Sequence, residues 1–119
     1  MEELFRKGIE KFNTQSFFEA HDLWEELWRE TSGPNRLFYQ GLIQTAVGLY
    51  HFENGNFRGA CSQFRKALAK LEQYIPSHHG IDTGDLVQQV RTCLRRGEEG
   101  EKGIDVLKEQ GSAPRIGFS

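Results

Sequence analysis

The sequence predicts an all-α fold: a compact bundle of about five helices, built from two similar antiparallel hairpins plus a C-terminal helix and an extended tail. Three observations point there. Apolar residues recur at three- and four-residue steps along most of the chain. Short clusters rich in Asn, Ser, Gly and Pro cut these periodic stretches apart. The pattern of residues 8–28 also returns in residues 48–68, as it does when helical units stack.

Leu4, Phe5, Gly8, Ile9 and Phe12 form the first stripe, which predicts a helix ending near Asn13. Thr14 and Ser16 both offer N-cap hydroxyls to a second helix. That helix sets Phe17, Ala20, His21, Trp24, Leu27 and Trp28 against an outer face of Glu19, Asp22, Glu26 and Glu30. Thr31-Ser32-Gly33-Pro34 stops it, because Gly suits a left-handed cap and Pro suits a new helix start. From 37 to 52 the chain is apolar on almost every side, so the third helix is expected to be central, with Gly41, Thr45 and Gly48 on one edge where a neighbour could approach closely. After the turn Asn54-Gly55-Asn56, the residues Phe57, Ala60, Cys61, Phe64, Leu68, Leu71 and Ile75 predict a fourth helix, ending before Pro76. Asp82 or Thr83 can cap a fifth, whose apolar side is Leu86, Val87, Val90 and Leu94. The expected domain is 1–96. Residues 97–119 read as an extension packed on that domain, loosely structured where Gly97, Gly100 and Gly103 occur, with a short helix near 104–108 and an extended end over 114–119.

The repeat is specific at its anchors. At an offset of 40, Gly8 meets Gly48, Ile9 meets Leu49, Phe12 meets Phe52, Phe17 meets Phe57, Ala20 meets Ala60, Trp24 meets Phe64 and Trp28 meets Leu68. Small residue, aromatic turn, alanine and aromatic in that order are similar to the tetratricopeptide hairpin. Two such units favour a closed bundle over an open superhelix, which needs about three.

Composition bounds the function. At 119 residues the chain can close one core without disulfides or metals. Only 37% of it is hydrophobic, so nine Phe, three Tyr and two Trp must supply much of the buried area. A net charge of −2 excludes the basic excess of a nucleic-acid binder, and Arg91, Arg95 and Arg96 make only a local patch. No apolar run approaches the roughly 20 residues that span a bilayer, and the acidic start of the chain is unlike a signal peptide. Cys61 and Cys93 have no zinc-type spacing and read as reduced thiols, so the expected setting is cytoplasmic.

His21 and Glu25, four apart on a helix, can touch. With Gln44 or His51 from the third helix serving the other ring nitrogen, they could form an acid/base dyad; equally, they could be a buried polar pin fixing helix register. Two ligands fall short of the three or more that a zinc or di-iron site requires, so neither a metal nor a cofactor is expected. Gln40, Gln44 and His51 share one sector of the third helix and could line a polar groove, while Trp28, Arg29 and Arg36 flank the turn before it and could hold a carboxylate or phosphate. The duller alternative pairs the arginines with Glu26 or Glu30.

Phe12-Asn13, Phe18-Glu19-Ala20-His21-Asp22 with Glu25, Trp28-Arg29, Gly41-Leu42-Ile43-Gln44 with Ala46, Gly55-Asn56 with Gly59-Ala60, and Gly80-Ile81-Asp82 resemble, in order, the family called domain of unknown function 309. The usual motif has Glu after the His, where this chain has Asp22. The resemblance implies an all-helical protein of the cytosol, or of the plastid stroma in a plant-type host, and implies no reaction. The expected function is a non-enzymatic interaction or scaffold module that binds a protein partner or itself, with no nucleic acid or membrane partner. The alternative is a small hydrolase-like acid/base enzyme centred on His21 and Glu25.

Overall fold

A computed structural model describes residues 2–107 and 113–119. Five α-helices follow one another: α1 (Glu2–Asn13), α2 (Phe17–Arg29), α3 (Pro34–Glu53), α4 (Phe57–Leu71) and α5 (Thr83–Glu101). A 3-10 turn, Glu72–Tyr74, extends α4. Each helix packs on the one before it, so α1, α3 and α5 make one layer and α2 and α4 the other. The Cα radius of gyration is 13.5 Å, which matches the value of about 13.5 Å expected when a chain of this length forms one globule. The bundle is therefore closed.

The two hairpins are held by the same device. A Cβ on Gly8 would stand 2.1 Å from Trp24 Nε1, and one on Gly48 would stand 2.6 Å from Phe64 Cε1. Glycine thus lets the first arm of each hairpin lie against an aromatic ring of the second. Trp24 is fully buried and its Nε1 donates to the Phe5 carbonyl at 3.2 Å. The small edge of α3 works as expected, with Gly41 meeting Leu71 and with the Thr45 hydroxyl bonded back to the Gly41 carbonyl at 2.9 Å.

Several expectations need correction. Neither expected hydroxyl caps α2: Ser16 is the N-cap without a side-chain bond, and Thr14 Oγ1 donates back to the carbonyls of Glu10 and Lys11. The equivalent Asn56 does cap α4, by accepting from the Gly59 N–H at 3.1 Å, and Asp82 caps α5. The segment read as loose from Gly97 belongs to α5. Gly97 and Gly100 are there because Cys61 Sγ and the Phe57 ring press on them, at 2.7 and 2.6 Å from where a Cβ would be. The helix near 104–108 is not found over 104–107, where Val106 is buried as irregular chain, and Lys108 lies outside the described residues. Past 113 the chain is extended and tethered, with Ile116 exchanging two hydrogen bonds with the Asn13 side chain.

Candidate site between α2 and α3

The first turn of α2 puts His21 on the flank of its apolar stripe, with 21% of its side chain exposed. Its Nε2 lies 2.6 Å from Glu25 Oε2, and the other Glu25 oxygen takes Arg29 Nη2 at 3.2 Å. His21, Glu25 and Arg29 thus form one chain along successive turns, in which the carboxylate fixes the ring's orientation. The other ring nitrogen is different. Asp22 Oδ1 is 3.3 Å from Nδ1, but off the line a hydrogen bond requires, and Nδ1 is buried with no hydrogen-bond partner.

Neither of the partners expected for Nδ1 reaches it. His51 Nδ1 lies 3.4 Å from Asn56 Nδ2, which ties that ring to the α3–α4 turn. Gln44 Oε1 is buried without a partner, and so is Trp28 Nε1. Three buried polar atoms lacking partners therefore sit on two facing helices.

Beside His21 the seam opens into a slot of about 170 Å³, lined by Phe17, Phe18, His21, Val47, Tyr50 and His51. Phe18 and Tyr50 form its rim, 52% and 41% exposed, with ring centroids 5.3 Å apart. α3 lines the slot with Val47 and Tyr50 across from His21 and Phe17, whereas α5 meets Cys61 and Phe57 with Gly97 and Gly100.

The remaining expected site residues lie elsewhere. Gln40 and Gln44 do not line the slot. Arg36 is committed to the end of α2: its guanidinium stacks 3.9 Å over Trp28, and Nη1 donates to the Trp28 and Thr31 carbonyls at 3.0 and 2.9 Å. Arg29 pairs with Glu25, not with Glu26 or Glu30. The slot's rim was missed in the sequence, although a signal was present. Phe18 and Tyr50 both fall off their helices' apolar stripes, and an exposed aromatic on each of two facing helices is a binding signature.

His78 and His79 face different ways. His78 Nε2 bonds Asn35 Oδ1 at 2.7 Å, and His79 Nε2 meets the Tyr39 hydroxyl at 3.1 Å. Burial, and secondarily the charge of His79, push the His78 pKa below its ordinary value. Burial also pushes the Cys61 and Cys93 thiols up to about 11, so both stay protonated at neutral pH and are poor nucleophiles. Among the described residues, no three His, Cys, Asp or Glu side chains converge to hold a metal ion, and no helix is long and apolar enough to cross a membrane.

Residues 5–62, which span α1, α2, α3 and the start of α4, match the family described as Domain of unknown function (DUF309). An uncharacterized protein of Aquifex aeolicus is 27% identical over 99 residues, covering 82% of this chain and 30% of that protein. An uncharacterized protein of Bacillus subtilis, YpuF, is 30% identical over 95 residues, covering 74% of this chain and 52% of its own length. The chain thus spans about a third to a half of the curated relatives it matches.

Proposed function

Residues 5–62 belong to the DUF309 family, and from that premise we propose that the chain is a non-enzymatic binding module whose α2–α3 slot receives one apolar side chain of a protein partner. The observation that carries this reading is the exposed Phe18–Tyr50 rim over an apolar slot that His21 helps to line. Size supports it too. Small-molecule sites enclose roughly 300–1,000 Å³, whereas about 170 Å³ suits a single large side chain.

A second reading is supported by the His21–Glu25 contact of 2.6 Å, the geometry of a carboxylate-oriented general base. It is the weaker of the two, because the slot is lined chiefly by apolar surface and neither Gln44 nor Asp22 is among its lining residues. Titration of the isotope-labelled chain with indole and with phenol, as side-chain mimics, tests the first reading. Amide shifts should cluster at Phe17, Phe18, His21, Val47, Tyr50 and His51, and should vanish in Phe18→Ala/Tyr50→Ala. Shifts scattered over the surface, or unchanged in that variant, would defeat it.

A further inference from the structure

The outer layer of the bundle carries a charge pattern that the slot does not use. α2 and α4 are the second arms of their hairpins, so they run in the same direction, and α3 packs against both. Along α2 and its C-cap, Phe18, Asp22, Glu26 and Glu30 are exposed; at the matching positions of α4, Arg58, Ser62 and Lys66 are exposed and Lys70 is half-buried. At the repeat offset these are the same positions in the two hairpins. The chain places carboxylates at the lower two in the first hairpin and ammonium groups at the lower two in the second.

Inside one copy these groups do not neutralise each other. Among the described residues, Glu26, Glu30, Lys66 and Lys70 take part in no ion pair. Each stripe sets like charges four residues apart, an arrangement that weakens a helix. Partial burial, and after it the neighbouring Lys66, hold the Lys70 ammonium below its ordinary pKa. With a net charge of only −2, the molecule is not strongly charged overall; its charges are sorted onto two parallel ridges.

We propose that this layer is a self-association surface on which a second copy of the chain docks about a two-fold axis parallel to α2 and α4. Rotation about such an axis keeps helix directions and register, so it sets the α2 stripe of each copy on the α4 stripe of the other. Glu26 then faces Lys66 and Glu30 faces Lys70. Arg58 comes over the face of Phe18 turned away from Tyr50, a cation–π arrangement. Every pair occurs twice, which is the self-complementarity an isologous dimer requires. A foreign partner would need both an acidic and a basic ridge at the same spacing, whereas a second copy carries them by construction. The charge pairs of this interface lie apart from the slot on the α2–α3 seam; Phe18 alone belongs to both.

An interface made of exposed charges associates loosely and responds to salt. Sedimentation of the intact chain should show a concentration-dependent dimer at about 0.02 M salt and a monomer at about 0.5 M, as the screening length falls from roughly 20 Å to 4 Å. Glu26→Lys/Glu30→Lys and Lys66→Glu/Lys70→Glu should each weaken self-association about tenfold or more. Mixed together, the two variants should form a heterodimer at least as tight as the native dimer, because positions 26, 30, 66 and 70 are all basic in one and all acidic in the other. Arg58→Glu/Lys66→Glu, which leaves half-buried Lys70 in place, serves as the basic-ridge variant if the first fails to give a native circular dichroism spectrum. A monomer under every condition overturns the proposal. So does a dimer that survives the charge reversals, or a mixture no tighter than its separate components.

Discussion

The hairpins α1–α2 and α3–α4 agree closely at the turn and differ in what lies on the second arm. In the first, the Phe12 and Phe17 rings stand edge to face at 5.2 Å and 69°; in the second, Phe52 and Phe57 do so at 5.3 Å and 74°. Ser16 N–H bonds the Lys11 carbonyl at 2.8 Å, as Asn56 N–H bonds that of His51 at 2.9 Å. One turn into the second arms the likeness ends, with His21 where Cys61 would be and Glu25 where Arg65 would be. Cys61 is sealed under Gly97 of α5, while His21 opens to a slot under Val47 and Tyr50 of α3. Shared positions build the hairpin; unshared ones decide whether its outer seam closes or stays available for binding.

The shared glycines give the largest expected effects. Gly8→Ala and Gly48→Ala both force a methyl into a buried ring, and such overpacking typically costs about 1–3 kcal/mol, sometimes more. Gly8→Ala should be the worse, at about 3 kcal/mol or above, because Trp24 cannot retreat without losing its bond to the Phe5 carbonyl. Urea titrations of both variants check the order. Equal, small losses would mean that the two hairpins do not rely on this contact.

Next comes truncation at the unshared pair. Cys61→Ala empties space in a sealed seam and should cost about 1–2 kcal/mol. His21→Ala removes a half-exposed contact with Glu25 and should cost under about 1 kcal/mol. Thermal melts of the two variants decide. A loss at His21 as large as that at Cys61 would make the His21–Glu25 pair a structural pin and would weaken the reading of the slot as a binding site.

How far the sequence reached follows the same division. Helix order, the closed bundle and the glycine edges were legible because they depend on periodicity and on repeated residues such as Gly8 with Gly48, signals that a single chain carries in full. The His21–Glu25 contact was legible because it is local to one helix. The slot was not, because it is a gap lined by residues of two helices, and the periodicity of either helix alone does not show where the seam between them is unfilled. The continuation of α5 through Gly97 and Gly100 was illegible for a similar reason. Glycine in a polar stretch reads as a breaker, and only Phe57 and Cys61 across the seam reveal it as a packing requirement. Arg36 was visible as a charge, but its commitment to the Trp28 and Thr31 carbonyls needed the geometry of the turn.

The turns offer a smaller test. Gln15 and Gly55 occupy equivalent positions with φ of 65° and 75°, a region that costs most L-residues about 1 kcal/mol and Gly almost nothing. Gly55→Ala should therefore lose about 1 kcal/mol, and Gln15→Gly should gain about 0.5 kcal/mol after allowing for the freer unfolded chain. Chemical denaturation measures both, and a loss at Gln15→Gly would mean that the two turns are not equivalent.

The exits of the hairpins differ in their response to acid, and this is the smallest effect expected. The first exit is tied by Arg36, whose guanidinium donates to the Trp28 and Thr31 carbonyls. The second is tied by His78, bonded to Asn35 at the start of α3, and burial has lowered its pKa below the ordinary 6.5. As pH falls through 6.5, the unfolded chain takes up this proton before the folded one does, so the unfolded state binds more protons and stability declines. The contribution is therefore full above 6.5 and is lost progressively down to the lowered folded value. His78→Gln should flatten that part of the pH–stability curve, whereas Arg36→Gln should shift the whole curve without changing its slope there. Amide exchange followed across the same range should quicken first around 74–82 and at Asn35, and leave 28–32 unaltered. If the end of α2 opens first in acid, the assignment of this acid response to His78 is wrong.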